Sequence, residues 1–271
     1  MTHNALVLAI ELIFVYMAGM FFLSLMKKDN SIVDIAYGIG FIIVAWSTLL
    51  IFGNHTFIQL LITGLITIWG LRLSIRIYLR NKGKPEDFRY KKWREEWTWF
   101  KTRSFFQIYM LQGLIIIGIS TVSIFINSSI HTRLPNTIYS TILVIIGALA
   151  WVKGFFFEAV GDYQLSTFIK HQTELKARGE TPAKTVMDEG LWSMTRHPNY
   201  FGEVAMWWGL FIIALSVQGG IVTIISPLII TFLLLKVSGI PMLEAHYKGN
   251  AEYEAYQART NALIPWFPKK K

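Results

Sequence analysis

The apolar residues of this 271-residue chain arrive in blocks of about twenty, and a helix needs roughly that many to cross the ~30 Å hydrocarbon core of a bilayer. Hydrocarbon offers backbone groups no hydrogen bonds, so a spanning chain must fold as helices or as a closed barrel. Long runs without two-residue alternation select helices. Seven runs are present, at about residues 5–26, 32–52, 57–79, 105–126, 138–160, 200–217 and 221–235. The expected fold class is therefore all-α, a polytopic membrane protein with about seven transmembrane helices. Composition agrees, with 53% hydrophobic and 16% charged residues, where soluble domains carry about a quarter charge. The first run has no basic n-region and no small-residue cleavage site, so it reads as a retained helix rather than a signal peptide.

The segments between runs are unequal in charge. Two Lys or Arg follow the first run, nine follow the third, five follow the fifth and six lie in the tail, 22 in all, whereas the alternate segments hold Arg133 alone. The positive-inside rule then puts the N-terminus outside and the C-terminus in the cytoplasm. Thirteen of the 17 acidic residues share that cytoplasmic side, leaving a net charge that suits anionic lipid or an anionic cofactor. Without linkers, low-complexity tracts or repeats, residues 1–271 read as one integral membrane domain. Its cytoplasmic loops 80–104 and 161–198 and tail 236–271 are expected to form a cap. The bilayer and a hydrophobic small molecule are the expected partners, and no nucleic acid is.

The chain has no cysteine, which excludes disulfides, thiolate metal sites, Cys nucleophiles and Cys lipidation. Its six histidines include no pair three or four apart, the spacing a helical metal pair needs. No bound metal is expected.

Ionisable residues inside the runs are functional candidates because charge in hydrocarbon is costly. Asp34 and Tyr37 are three apart and share a helix face, with Phe41 a turn further. Trp69, Arg72 and Arg76 form a stripe on the third run. An Asp34–Arg72 ion pair would satisfy both groups without chemistry; alternatively, a raised-pKa acid in a cavity could donate to a substrate carbonyl. The densest signal is Gly-Leu-Trp-Ser-Met-Thr-Arg-His-Pro-Asn-Tyr-Phe-Gly-Glu, from Gly190 to Glu203. Pro198 suits a first helical turn, which places Arg196 and His197 at a helix N-terminus, where anions are favoured. Asn199, Glu203 and Trp207 then descend one face at spacings of four. Glu158 and Asp162 repeat that spacing at the cytoplasmic end of the fifth run. In the tail, Glu244, His246, Tyr247, Tyr253, Tyr256 and Arg259 crowd together, either as a nucleoside platform or as an ordinary interfacial aromatic belt.

Several of these stretches, namely Ser31–Phe41, Trp69–Leu73, Arg80–Glu95, Gly190–Glu203 and the tail from Val237, occur in an order that resembles bacterial membrane proteins sharing the C-terminal domain of steroid 5-alpha-reductases. That superfamily includes sterol reductases and, more distantly, isoprenylcysteine carboxyl methyltransferases. The resemblance implies a helical membrane enzyme with a cytoplasmic nucleotide-cofactor site and a lipid-accessible substrate cavity. It also implies that Asn199, Glu203 and Asp162 contact the cofactor, with Glu158 standing where the steroid reductases have Asn. Asp34 stands in for their substrate-polarising Glu, and the third run supplies Arg72 but no matching Tyr. The only Gly-x-Gly, Gly38 to Gly40, lies inside an apolar run, so a Rossmann fingerprint is absent.

The leading expectation is an NADPH-dependent oxidoreductase that reduces a conjugated carbon–carbon double bond in a hydrophobic, steroid- or lipid-like enone. Asp34, Tyr37 and Arg72 are its catalytic candidates. Glu158, Asp162, Arg196, His197, Asn199, Tyr200, Glu203 and Trp207 are its cofactor-binding candidates, with Glu244 and Arg259 in the tail. An S-adenosylmethionine-dependent membrane methyltransferase and a non-enzymatic lipid-binding membrane protein are the alternatives. A basic entrance favours phosphate-bearing NADPH over the sulfonium donor.

The charge count makes a topological prediction. A reporter active only in the cytoplasm should give signal when fused to the C-terminus and none when fused to the N-terminus; the reverse pattern would refute the assigned orientation.

Overall fold

In the computed structural model, which describes residues 2–128 and 137–267, the fold is all-helical, without strands among the described residues. His131, Arg133, Lys269, Lys270 and Lys271, and the side chain of His246, lie outside the described residues. Six helices among those described are long and apolar enough to cross a membrane, in the manner of a multi-pass integral membrane protein. They start at Thr2, Ile32, Phe57, Phe100, Thr137 and Gly220. The run expected at residues 200–217 forms a helix of 17 residues, Pro198–Ala214, about 26 Å long. It falls just short of the hydrocarbon thickness, so six helices of crossing length stand where seven were expected.

Two compact units organise the chain: residues 1–141 with 213–226, and residues 142–212 with 227–271. In the first, α1 (Thr2–Lys27), α2 (Ile32–Phe52) and α3 (Phe57–Asn81) are consecutive spans. Helices α2 and α3 touch backbone to backbone at Gly38 and Gly70, where a Cβ on Gly70 would lie 2.7 Å from the Gly38 carbonyl. One turn on, the Ser74 hydroxyl donates to the Ile35 carbonyl at 2.8 Å. On the other side of α2, Tyr16 of α1 donates to the Ala36 carbonyl at 3.0 Å.

After α4 (Phe88–Glu96), the run expected as one helix over 105–126 is broken into pieces. A short α5 (Phe100–Ser104) leads into a π-helical turn at Phe105–Met110, followed by α6 (Leu111–Ile119) and α7 (Thr121–Ser128). The interruption at Ser120 frees the Ile119 carbonyl, and the buried Ser226 hydroxyl donates to it at 2.5 Å. Near the end of α7, Asn127 Nδ2 reaches the Ala45 carbonyl, Thr48 and Thr63 at 2.8, 3.2 and 3.1 Å. One amide thereby ties three helices together in the dry interior.

In the second unit, α8 (Thr137–Ala177) has 41 residues, about 60 Å of helix and twice the core thickness. The reading that ended this helix at residue 160 and made 161–198 a loop is corrected: its first 17 residues continue α8. The continuation keeps backbone groups paired beyond the apolar run. α9 (Leu191–Met194) precedes α10, the 17-residue helix above. Helices α8 and α10 run antiparallel along a glycine seam. A Cβ on Gly209 would lie 2.6 Å from the Gly147 carbonyl, one on Gly154 would lie 2.5 Å from the Gly202 carbonyl, and Gly161 abuts Pro198. The seven-residue spacing on both helices is the period of a coiled-coil-like seam, and small residues let the backbones approach as membrane helix pairs do. The chain then returns to the first unit for a 3₁₀ turn at Gly220–Ile224 and the start of α11 (Ile225–Phe232), and from Pro227 the second unit resumes with the rest of α11, a π turn at Leu233–Val237, α12 (Ile240–His246) and α13 (Ala251–Arg259).

The seam yields a stability test. Gly202→Val places atoms against the Gly154 carbonyl and the Glu158 backbone nitrogen and should cost about 3 kcal/mol or more, the upper end for overpacking. Gly64, whose Cβ position is open, should accept Ala with a gain of up to ~1 kcal/mol from helix propensity. Melting temperatures in detergent check both.

Candidate functional site

Two clusters hold the residues singled out in the sequence, one in each unit. In the first, Asp34 lies in the opening turn of α2, and its partners come from α4. Tyr90 donates to Asp34 Oδ1 at 2.6 Å and Arg89 Nη2 to Oδ2 at 2.9 Å. Asp87 positions the pair: as the N-cap of α4 it accepts from the Arg89 backbone N–H at 3.0 Å and from Arg89 Nε at 2.9 Å. A cap of this type satisfies an otherwise orphaned donor of the first turn. Burial pushes the Asp87 carboxyl up, but the hydrogen bonds and charge of Arg89 outweigh it and hold it below its ordinary value. Burial, reinforced by the neighbouring Asp34 carboxylate, drives the Tyr90 phenol well above its usual range, so it stays protonated as a donor.

A second pair anchors the same loop. Arg94 grips Glu86 through Nε at 3.0 Å and Nη2 at 2.7 Å. Glu86 also accepts from the Asn30 backbone N–H, and Ser31 Oγ from the Asp87 backbone N–H, each at 2.8 Å. The 82–99 loop is thus fastened to the α1–α2 junction. Tyr37 is half-buried and meets Phe41 edge-on at 5.1 Å, which meets Trp69 edge-on at 5.2 Å. Arg72 and Arg76 are half-buried on α3. The partners Arg89 and Tyr90 were not singled out from sequence. The available signal was the Glu-Asp-Phe-Arg-Tyr stretch, in which an N-cap acid opens a helix whose first residues face back toward the chain.

In the second unit, the glycine seam sets a polar ladder. Glu158 and Asp162 of α8 are each 4% exposed, and Gly202 of α10 packs directly against Glu158. Asn199 Nδ2 donates to Asp162 Oδ1 at 3.3 Å, while Asn199 Oδ1 accepts from the Tyr200 backbone N–H at 3.1 Å. Glu203 is half-buried one turn along α10 and Trp207 is buried a turn further. The geometry brings Asn199 of α10 to Asp162, on the same face of α8 as Glu158, across 37 residues of sequence.

Arg196 and His197, expected to face an anion at the start of α10, are engaged with the tail. Arg196 Nη2 lies 2.7 Å from Glu244 Oε1, and its Nη1 donates to the Thr260 carbonyl at 2.5 Å. His197 is fully buried, shares Glu244 Oε1 through Nε2 at 3.1 Å, and stacks on Tyr200. Burial lowers its pKa against the opposing pull of Glu244. The tail runs alongside this segment, with the Arg196 backbone N–H on the Asn261 carbonyl and the Trp266 N–H on Met194, each at 2.9 Å. Tyr253 and Tyr256 are buried in a small core with Val186, Tyr247 stacking on Tyr253 at 4.4 Å. Arg259 pairs with Asp188. Among the described residues no group of His, Asp and Glu has the arrangement of a metal site.

Residues 20–260 match the model of a family described as proteins of unknown function (DUF1295), and the chain belongs to it. No curated protein and no solved structure matches the chain.

The Arg196–His197–Glu244 clamp should be acid-sensitive. With a folded-state pKa below the ordinary 6.5, neutral His197 contributes stability that is present above pH ~6.5 and lost as pH falls through its folded value. Protection factors for hydrogen exchange across 251–267, corrected for the intrinsic pH dependence of exchange, should therefore fall on acidification, and His197→Gln should flatten that response. At neutral pH, Glu244→Gln leaves Arg196 without its carboxylate and should open the same amides, by about 3 kcal/mol if the loss matches other buried pairs.

Proposed function

We propose that this member of the DUF1295 family is a membrane-embedded, NADPH-dependent reductase of a carbon–carbon double bond conjugated to a carbonyl in a hydrophobic substrate. The observation that carries the reading is the ladder of Glu158, Asp162, Asn199 and Glu203. Two buried carboxylates beside an amide suit the donor-rich parts of a nucleotide, its ribose hydroxyls and carboxamide. The resemblance to the steroid 5-alpha-reductase superfamily assigns the cofactor to the same positions. When bound, NADPH supplies the hydride. Tyr200 and Trp207 give the ladder aromatic walls, while Arg196, His197, Glu244 and Arg259 act one step back, holding the cap together. We place α10 as a seventh crossing and the cap on the cytoplasmic side, following the charge bias of the loops.

The substrate-polarising groups we assign are Asp34, Tyr37 and Arg72. Tyr90, whose single hydroxyl proton goes to Asp34, holds and orients that carboxylate. Reduction of an enone develops negative charge on the carbonyl oxygen as the β-carbon accepts hydride, and a proton then completes the α-carbon. Preorganised donors lower the cost of that charge.

A second reading is favoured by one specific observation. The most enclosed arginine of the cap, Arg196, is spent on Glu244 and on carbonyls, so the ladder is acidic without an arginine of its own cluster left for phosphate. Acidic surroundings also suit a sulfonium, which keeps an S-adenosylmethionine-dependent methyltransferase in view. Titrating purified protein with NADPH and with S-adenosylmethionine separates the two: the reductase requires micromolar NADPH binding, and binding of the methyl donor alone overturns it.

Two variants extend the test. Glu203→Gln and Asn199→Ala should each weaken NADPH binding roughly tenfold or more, as loss of a hydrogen bond to a charged group does, and Asn199→Ala, which takes the amide donor from Asp162, should also lower the melting temperature. Asp34→Asn should keep cofactor affinity and cut turnover about a hundredfold or more, the usual contribution of a positioned acid–base group. If Asp34 serves only as the partner of Arg89, Asp34→Asn lowers the melting temperature instead, and adding Arg89→Met restores it with full activity.

A further inference from the structure

The loop between α3 and α5 carries more exposed charge and aromatic surface than its internal contacts use. Its ends are fixed at a bilayer surface, since it joins the spans Phe57–Asn81 and Phe100–Ile119. Inside it, Glu86 and Asp87 are consumed by Arg94 and Arg89. The charge facing outward is one-sided: Lys82, Lys84, Lys91, Lys92, Lys101 and Arg103 are exposed, against Glu95 and Glu96, and of these Lys92 lies 3.7 Å from Glu96. Phe88 is 74% exposed and Trp99 82%.

Trp99 is the informative residue. Its φ of 59° puts a bulky side chain in the left-handed region, which such residues adopt at a cost in free energy. The strain displays the indole to the outside, immediately before a membrane span. Its neighbours are rigidly built: Trp93 stacks on Trp97 at 5.1 Å, Arg103 lies over Trp97 at 4.8 Å, and Arg94 lies over Phe100 at 4.5 Å. An indole fits the headgroup level, where its ring is in apolar surroundings and its N–H is wet. Exposed lysines beside a span attract anionic headgroups.

We propose that residues 82–103 form a docking platform for anionic phospholipid headgroups, with Trp99 seated in the interfacial layer and Lys91, Lys92, Lys101 and Arg103 supplying the charge selectivity. Membrane tethering at both ends puts the platform within reach of headgroups at all times. It also lies on the loop that delivers Arg89 and Tyr90 to Asp34, so lipid composition would act on the position of that loop.

The chain has no cysteine, so Trp99→Cys in the full-length protein gives a single attachment site for an environment-sensitive fluorophore. The labelled protein is reconstituted in phosphatidylcholine vesicles with and without about a third phosphatidylglycerol. We expect quenching by lipids spin-labelled near the headgroup, several-fold stronger in the anionic vesicles. High salt should reduce this difference by screening, and Lys91→Gln, Lys92→Gln, Lys101→Gln and Arg103→Gln combined should abolish it. Inorganic phosphate added to neutral vesicles should have no effect. Aqueous iodide quenching as strong as for free dye in both vesicle types would overturn the proposal, as would phosphate reproducing the effect of the anionic lipid. Thr98→Cys, at the neighbouring exposed position, carries the label if the Trp99 variant does not fold.

Discussion

An unpartnered carbonyl or amide in hydrocarbon costs several kcal/mol, and much of the chain is arranged around avoiding that cost. Where the fourth span breaks at Ser120, the Ser226 hydroxyl takes the carbonyl that the break releases. Where helices must be joined without water, the single amide of Asn127 on α7 reaches into two others, α2 and α3. Lipid tails are as apolar as leucine, so burial alone does little to draw helices together. Close backbone packing at Gly38 and Gly70, and at Gly147, Gly154, Gly202 and Gly209, supplies dispersion contact that larger residues would prevent.

Charge follows the same rule with higher stakes. A buried ion is tolerated when its hydrogen-bonding capacity is filled, and breaking such a pair costs more than never having built it. Asp34 has a guanidinium on one oxygen and a phenol on the other, and Arg196 divides its donors between a carboxylate and backbone carbonyls. In each case a segment outside the apolar runs, the 82–99 loop or the tail, is held by a salt bridge, the first to α2 and the second to the residues that lead into α10. Ion pairs thus position the parts of the chain that hydrophobicity leaves undetermined.

This division explains what could be read in advance. Periodicity and length announced helical spans, because those depend on local composition. The positions Glu158, Asp162, Asn199 and Glu203 were legible from their four-residue spacing, which fixes a shared face on each helix. That the two faces meet was not, since it rests on glycines seven apart whose meaning appears only when α8 and α10 are paired. Arg89 and Tyr90 were hidden for a related reason: they sit in a polar loop, and their role depends on Asp87 capping α4. The end of α8 was misjudged because hydropathy falls at residue 160 while backbone hydrogen bonding continues to Ala177. Arg196 was read from its place at a helix start, a local cue that the distant Glu244 overrides.

The balance of charge in the second unit bears on which ligand the ladder favours. Counting lysines and arginines over whole loops makes the cap look like a phosphate receptor, yet a cation already paired offers an incoming anion little. Arg196 is held by Glu244, Arg259 by Asp188, and Lys184 by Asp188 and Glu189. The seam itself carries carboxylates, Glu158 and Asp162, buried deeply enough that water competes weakly. Acceptors of that kind discriminate by donor geometry, holding hydroxyls and amides through charge-assisted hydrogen bonds. They repel phosphate at the same positions. On the proposed reading the ladder would take the nucleoside end of a cofactor, and NADPH would need its phosphates met elsewhere, by cations that no carboxylate has already claimed.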